Sequence, residues 1–372
     1  MAPTQEALYR DIDLELSWSE RELPERERTK HVHRLHPYLG KFIPQLVEAL
    51  LARYLRPGGR VLDPFAGSGT TLVQALESGF DAVGVEVAAF NVLLMEVKTR
   101  RYNLFVLERE LRQVVARLDA LEPTTEVPSA YVRRWFAPAA ARELLAFRAL
   151  IPEYEHADVL RVVLARAARS ARRTTHFDLD FPRTPQRAPY WCHKHRRTCR
   201  PVETARQFLE RYALDTLVRI KAFSRLRVPR RVAEVVHGDA RTLPLGGPYD
   251  GVVTSPPYPG LIDYHEQHRY AYELLGLDDR RELEVGAAAA GVSRRALQAY
   301  ADGIVEVLAN VRTALRPGAP VVIVVNDRRD LYPEILERAG LELEERLRRH
   351  VNRRTGRRAG EFFEEILVTR FV

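Results

Sequence analysis

The chain has 372 residues, 58 Lys+Arg against 50 Asp+Glu, and a formal net charge of +8. That length exceeds one minimal domain of ~100–200 residues, and 46% apolar content excludes a chain disordered throughout. Two cysteines exclude a disulfide scaffold, no apolar run reaches the ~18 residues of a membrane helix, and the charged N-terminus lacks the apolar centre of a signal peptide. The expectation is a soluble, cytoplasmic protein with no membrane partner.

In chain order, residues 1–30 mix acids and bases and read as a loosely packed arm. Leu and Val recur at helical spacing in PQLVEALLARYL (44–55), stopped by Pro57-Gly58-Gly59. RVLD (60–63) reads as a short buried strand, GSGT as a turn, and TLVQALES as a helix ending at Gly79. DAVGVEV (81–87) is a second strand, so this is a β-α-β unit that opens a parallel sheet. Residues 91–160 read as helical, with LERELRQVVARLDAL and ARELLAFRAL amphipathic. VLRVVLARAARSAR continues the helical pattern. The three prolines of FDLDFPRTPQRAPYW break it, and VETARQFLERYALDTLVRIKAF restores it. Sheet texture returns in RVAEVVHGDA, YDGVVTSPPY and PVVIVVND. LELEERLRRHV and EEILVTRFV read as a closing strand pair around NRRTGRRAGE. Residues 280–295, Ala-rich between glycines, read as a mobile connection. The organisation is one α/β domain in two halves, 31–99 and 232–372. A helical insertion of about 130 residues, 100–231, splits it, and its length suggests a module.

The net charge is unevenly placed. Residues 161–231 hold 19 Lys+Arg and 5 Asp+Glu, a local +14; the other 301 residues hold 39 and 45, a net −6. Such asymmetry points to a polyanion-binding surface, against the alternative of a solvated helical face.

Two motifs carry chemistry. In DPFAGSGTT (Asp63–Thr71) a strand ends and a helix begins. Its glycines allow a tight turn and close approach of a ligand to the backbone, and free N–H groups at the helix start can hold a polar or anionic group. Glu86 ends the next strand, 23 residues after Asp63, where a carboxylate can accept from ribose hydroxyls. TSPPYPG (Thr254–Gly260) follows the apolar strand DGVV. Pro256 and Pro257 have no N–H and fixed φ, so the tip is rigid and rich in acceptors. Ser255 adds a hydroxyl and Tyr258 a flat ring, a combination suited to gripping a planar group that bears an NH2.

Together these residues resemble motifs I and IV of the S-adenosylmethionine-dependent DNA amino-methyltransferases, which act on cytosine N4 or adenine N6. HPYLGKFIP (His36–Pro44) resembles their motif X, GVEV with Glu86 motif II, and HGDARTLPL with Asp239 motif III. The resemblance covers residues 31–99 and 232–372. It implies a Rossmann-like class I methyltransferase fold with a mostly parallel seven-stranded sheet, S-adenosylmethionine as cofactor and duplex DNA as partner. It further implies that Phe65, Gly67, Ser68, Gly69 and Thr70 line the methionine moiety, with Asp63 supporting the loop. Glu86 would hold the ribose, Asp239 and Ala240 the adenine, and Lys41 and Phe42 would close the carboxylate side. Ser255 and the Pro256 carbonyl would accept the amino hydrogens of the target base, Pro257 would stiffen the tip, and Tyr258 would stack on the flipped base. Transfer would be direct, without a covalent enzyme intermediate.

Ser at the head of SPPY favours cytosine N4 over adenine N6, and neither cysteine has the Pro-Cys context of C5 chemistry. The enzyme would be of restriction–modification type, with a cognate endonuclease, or an orphan. An RNA amino-methyltransferase and a non-catalytic DNA-binding subunit are the alternatives. The insertion precedes motif III, whereas the family's usual α order puts target recognition after it; the insertion is still the favoured recognition region, with part of 263–303 second. Within it, CHKHRRTC (Cys192–Cys199) groups four potential metal ligands, but their spacing departs from the usual paired pattern. The expectation is no metal and a basic loop contacting DNA through Lys194, Arg196, Arg197 and Arg200, supported by Arg172 and Arg173. His176, Phe177, Phe181 and Trp191 interleave with these charges.

Overall fold

The computed structural model describes residues 12–19, 21–38, 40, 42–120, 128–174, 184–192, 195–351 and 362–372. Among these, the strands are β1 (Arg60–Asp63), β2 (Asp81–Glu86), β3 (Tyr190–Cys192), β4 (Arg197–Cys199), β5 (Ala233–His237), β6 (Gly251–Thr254), β7 (Val321–Val325), β8 (Leu341–His350) and β9 (Phe363–Phe371). Seven form one sheet in the order β5-β2-β1-β6-β7-β9-β8, and β3 and β4 form a separate hairpin. The pairs β5·β2, β2·β1, β1·β6 and β6·β7 are parallel, while β9 runs antiparallel to β7 and β8. This is the mostly parallel, Rossmann-like sheet expected. The direction of winding reverses between β1 and β6, the switch point where open α/β sheets bind ligands at the carboxyl ends of their strands.

Sequence explains the strands. β6 (GVVT) and β7 (VVIVV) are buried at every position, the pattern of central parallel strands covered on both faces. The helices that cover them include α1 (Pro44–Tyr54), α2 (Thr70–Ser78), α3 (Ala89–Thr99) and, in the second half, α4 (Arg294–Ala314). Pro44 opens α1 at a position where its missing N–H costs nothing. Gly79, at φ 85°, closes α2 in the left-handed conformation.

Three expectations need correction. Over its described residues, 12–19 and 21–30, the expected arm 1–30 is packed, not loose: Leu16 and Leu23 are buried, and Asp13 N donates to Arg348 O of β8 at 2.7 Å. The stretch 280–295 is fixed across the exit from β6, where Gly260 N donates to Gly286 O and Ala288 N to Ile262 O, both at 3.0 Å. The insertion is not a separate module. Its helices Leu104–Ala116, Pro138–Leu150, Ala157–Ala171 and Arg206–Leu226 share one apolar core with Phe90, Leu94 and Val97 of α3 and with Tyr270 and Leu274 beyond β6. The loop NRRTGRRAGE, the prolines' neighbours Phe177 and Phe181, and His176 lie outside the described residues.

Close packing at β2 seats the first site loop. A Cβ on Gly84 would lie 2.6 Å from Leu72 Cδ1 and 2.8 Å from Ala66 Cβ. Gly84→Ala is therefore expected to destabilise by about 1–3 kcal/mol through overpacking, read as a lower urea midpoint at unchanged m value. An unaltered midpoint would mean that α2 shifts freely on the sheet.

Candidate functional site

The loop between β1 and α2 is built by its glycines. Gly67 and Gly69 have φ of 51° and 79°, a region open to glycine at little cost. Side chains also leave no room: a Cβ on Gly67 would lie 2.8 Å from Tyr38 Oη, and one on Gly69 2.7 Å from Met95 Cγ. Beneath the loop, Asp63 is 1% exposed. Its Oδ1 accepts from Thr254 Oγ1 at 2.6 Å and from Phe65 N at 3.1 Å, and burial pushes its carboxyl up to about 6. Thr71 Oγ1 donates to Val253 O at 3.2 Å. Lys98, buried on α3, donates to Ser68 O. The loop is thus clamped from two sides, onto β6 and onto α3.

Above it lies a cleft enclosing about 590 Å³, open mouth included, lined by Tyr38, Phe65, Gly67, Glu86, Asp239, Ala240, Ser255, Pro257, Tyr264 and Glu284 among others. Seven of these residues come from the sequence expectation, converging from four strand ends. Glu86 Oε1 accepts from Ala88 N at 2.8 Å; burial pushes its carboxyl up to about 7, and the charge of Glu284 adds to the rise. Asp239 is held differently. Arg241 grips both its oxygens, Nη2 to Oδ2 at 2.7 Å and Nε to Oδ1 at 3.0 Å, and lowers its pKa in spite of partial burial. Ala240 is buried and its carbonyl accepts from Asn310 Nδ2 at 2.9 Å.

Not every expected residue reaches the cleft. Phe42 is in the core with Leu46 and Leu50, and Tyr38, four residues earlier, lines the cleft in its place. Asp63, Ser68, Gly69 and Thr70 lie behind the lining, where they shape the loop. Lys41 is outside the described residues. The sequence reading missed Tyr38 and Tyr264, whose rings stack at 5.2 Å and 11°, as well as Glu284 and Lys98. Lys98 could have been found as the one cation of a mostly apolar helix. Glu284 could not: it is locked by Tyr264 N at 3.2 Å, by His265 N at 3.0 Å and by the His265 ring, all distant in sequence.

Ser255 Oγ donates to Val324 O of β7 at 2.9 Å, so its hydrogen is engaged and its lone pairs are left to accept. Pro257 faces the first cleft, whereas Tyr258 lines a second one, of about 810 Å³ on the same measure, with Pro259, Leu261, Tyr300, Asn326 and Asp327. Tyr258 Oη lies 3.4 Å from Glu364 Oε1; Arg349 holds Glu364 from two nitrogens, at 2.6 and 2.8 Å. The SPPY tip therefore forms the wall between two cavities.

The basic segment divides in two. Arg166 pairs with Asp215, as does Arg219, and Lys221 pairs with Glu108 at 2.5 Å. Arg172 is a correction to the expected DNA contacts: it is 5% exposed, with its guanidinium 4.6 Å from the Tyr270 ring centre, and so serves packing. Arg173 is half-buried, its N–H donating to Trp135 O at 2.7 Å. Arg196, Arg197 and Arg200 are exposed at the β3–β4 hairpin, as is Trp191, which is 57% exposed; Lys194 lies outside the described residues. The expected basic loop is thus a hairpin, and its fold brings Cys192, His195 and Cys199 together.

The residues fit S-adenosylmethionine on their own chemistry. The first cleft offers a glycine cradle that a side chain would fill, a carboxylate at the end of β2 and an aromatic wall. The comparisons with known proteins agree. A family model described as DNA methylase, that of the N6/N4 methyltransferases, matches residues 5–95. Type II methyltransferase M.MjaII of Methanocaldococcus jannaschii is 35% identical over 430 aligned residues, 92% of this chain and 81% of that protein. Type II methyltransferase M.BsoBI of Geobacillus stearothermophilus is 23% identical over 299 residues, 70% of this chain and 56% of that protein. Among the described residues, no helix is long and apolar enough to cross a membrane.

Proposed function

This chain belongs to the S-adenosylmethionine-dependent N6/N4 family of DNA methyltransferases, and on that premise we propose that it methylates the N4 amino group of cytosine in duplex DNA, on a base flipped out of the helix. The observation that carries this reading is Ser255. With its hydroxyl hydrogen engaged by Val324 O, it faces the first cleft as a neutral acceptor on a rigid proline tip, three residues before Tyr258 of the second cavity.

The cofactor supplies an electrophilic methyl group. Gly67 and Phe65 would hold its amino-acid end, Glu86 its ribose, and Asp239 with Ala240 its adenine. The second cavity would receive the flipped base, with Tyr258 as the stacking face. Ser255 Oγ and the Pro256 carbonyl would accept the two amino hydrogens, which raises electron density on the nitrogen and aligns its lone pair. Rate enhancement then rests on positioning and fixed dipoles, with no nucleophilic side chain required. The exposed hairpin arginines would contact phosphate.

Nucleoside analysis of DNA methylated with labelled cofactor tests the base directly. N4-methylcytosine is expected; N6-methyladenine alone would overturn the base assignment within the same family, and activity on RNA without activity on duplex DNA would overturn the substrate. Ser255→Ala is expected to lower turnover by about 100-fold while changing cofactor affinity by less than about threefold. Equal losses in both would remove Ser255 from the base-contacting role.

The raised carboxyl of Glu86 gives cofactor binding a defined pH dependence. Ribose hydroxyls donate to the ionised form, so below about pH 7 a proton must leave before binding. Affinity should be level above that value and fall by up to about tenfold per pH unit below it. Calorimetry between pH 5.5 and 8 reads this, and Glu86→Gln should flatten the profile; a level wild-type profile contradicts the assignment. Replacing Arg196, Arg197 and Arg200 together by alanine should reduce the slope of log K against log salt for DNA by up to ~3. An unchanged slope would mark the hairpin as a solvated face.

A further inference from the structure

The only two cysteines of the 372-residue chain meet at one place. In the β3–β4 hairpin, Tyr190 pairs with Cys199 and Cys192 with Arg197, so Cys192 and Cys199 are diagonal neighbours on one face. Both are buried, 1% and 8% exposed, while Trp191 on the opposite face is 57% exposed. His195 stands just before β4, followed by Arg196 in the left-handed region at φ 50°. His195 Nδ1 lies 3.4 Å from Cys199 Sγ, and the ligand atoms of Cys192, His195 and Cys199 are all within 4.8 Å of one another.

These distances suit a metal ion better than a disulfide. Diagonal residues of an antiparallel pair have Cα atoms about 7–8 Å apart, at or beyond the ~7 Å limit of a disulfide. A tetrahedral zinc ion, with bonds of ~2.3 Å to sulfur and ~2.0 Å to nitrogen, separates a thiolate from an imidazole nitrogen by about 3.5 Å and two thiolates by about 3.8 Å. The donor set, two thiols and one imidazole, is the soft sulfur–nitrogen combination that selects zinc over magnesium or calcium. Two thiolates also balance the charge of the ion, so a site can form among exposed arginines without adding net positive charge. The hairpin needs such a tie, because a two-stranded ribbon of three residues per strand is marginal by itself.

We propose that Cys192, His195 and Cys199 bind a zinc ion that fixes the β3–β4 hairpin and thereby the orientation of Trp191, Arg196, Arg197 and Arg200. The site is independent of the methyl-transfer assignment and reverses the expectation of no metal drawn from ligand spacing.

The test uses the full chain. Purified protein, loaded with zinc and desalted, should retain about one zinc per chain by elemental analysis. Cobalt(II) in place of zinc should give a near-ultraviolet thiolate-to-metal absorption. The Cys192→Ser/Cys199→Ser double variant should lose both signals, with S-adenosylmethionine binding by calorimetry as the check that it is folded. Cys199→His, which keeps a ligand, should retain zinc with weakened cobalt–thiolate absorption. The proposal is overturned if the loaded wild type holds no zinc, if cobalt gives no thiolate absorption, if the double variant keeps its zinc, or if mass spectrometry of fresh protein finds Cys192 and Cys199 joined as a disulfide. The cobalt titration of wild type decides the matter even where the double variant does not fold.

Discussion

The site depends on one buried contact, the hydrogen bond from Thr254 Oγ1 to Asp63 Oδ1 at 2.6 Å. It joins the last residue of β1 to the last residue of β6, the two strands that flank the reversal of the sheet. A carboxylate so far from water is costly, and the rise of its pKa to about 6 reports that cost. What the contact secures is register between two loops separated by 191 residues. Asp63 also holds Phe65 N, Thr71 reaches back to Val253 O, and Lys98 fixes Ser68 O, so the glycine loop and the proline tip behave as one body. The proposed direct transfer between two bound molecules would require this, because positioning would be the main contribution of the protein.

Around that body the two cavities stand on opposite sides of the SPPY tip. Neither is made by a single segment. The first cleft borrows Tyr38 from before β1 and Glu284 from the connection after β6, and the second borrows Asn326 and Asp327 from the end of β7. The motif X residue His36 is anchored from outside, its Nε2 hydrogen-bonded to Tyr270 Oη at 2.7 Å. The insertion's core runs into the same neighbourhood through Phe90 and Tyr270. The helices that carry the basic residues are therefore mechanically continuous with the catalytic sheet, which a tethered module would not be.

The charge pattern is sharpened by the same packing. The local +14 of residues 161–231 is not a uniform phosphate-facing patch. Arg166 and Arg219 share Asp215, Lys221 pairs with Glu108, and Arg172 is buried over an aromatic ring. Sequence counts charges but does not say which way a helical face turns. Arg172 and Arg173 directly follow the helix Ala157–Ala171 and could serve either packing or DNA. Tertiary contacts assign the first to the core and leave the hairpin arginines among the exposed cations of the segment.

Sequence by itself determined the strands of the main sheet, the β-α-β start, the antiparallel closing pair and the two strand-end motifs. These rest on local signals: apolar periods, glycines where φ must be positive, and prolines that cannot donate. Through the family that the two motifs resemble, they also implied the cofactor class and seven of the residues now seen in the first cleft. Tertiary structure alone decided what depends on distance in space. It put Tyr38 rather than Phe42 on the cleft, brought Glu284 to it out of a connection that composition marked as mobile, and turned a spacing that argued against metal into a cluster of two buried thiols and an imidazole. The physical reason lies in contacts that spacing does not record: Tyr38 and Glu284 reach the cleft through partners far along the chain, and the two cysteines meet through the register of a hairpin.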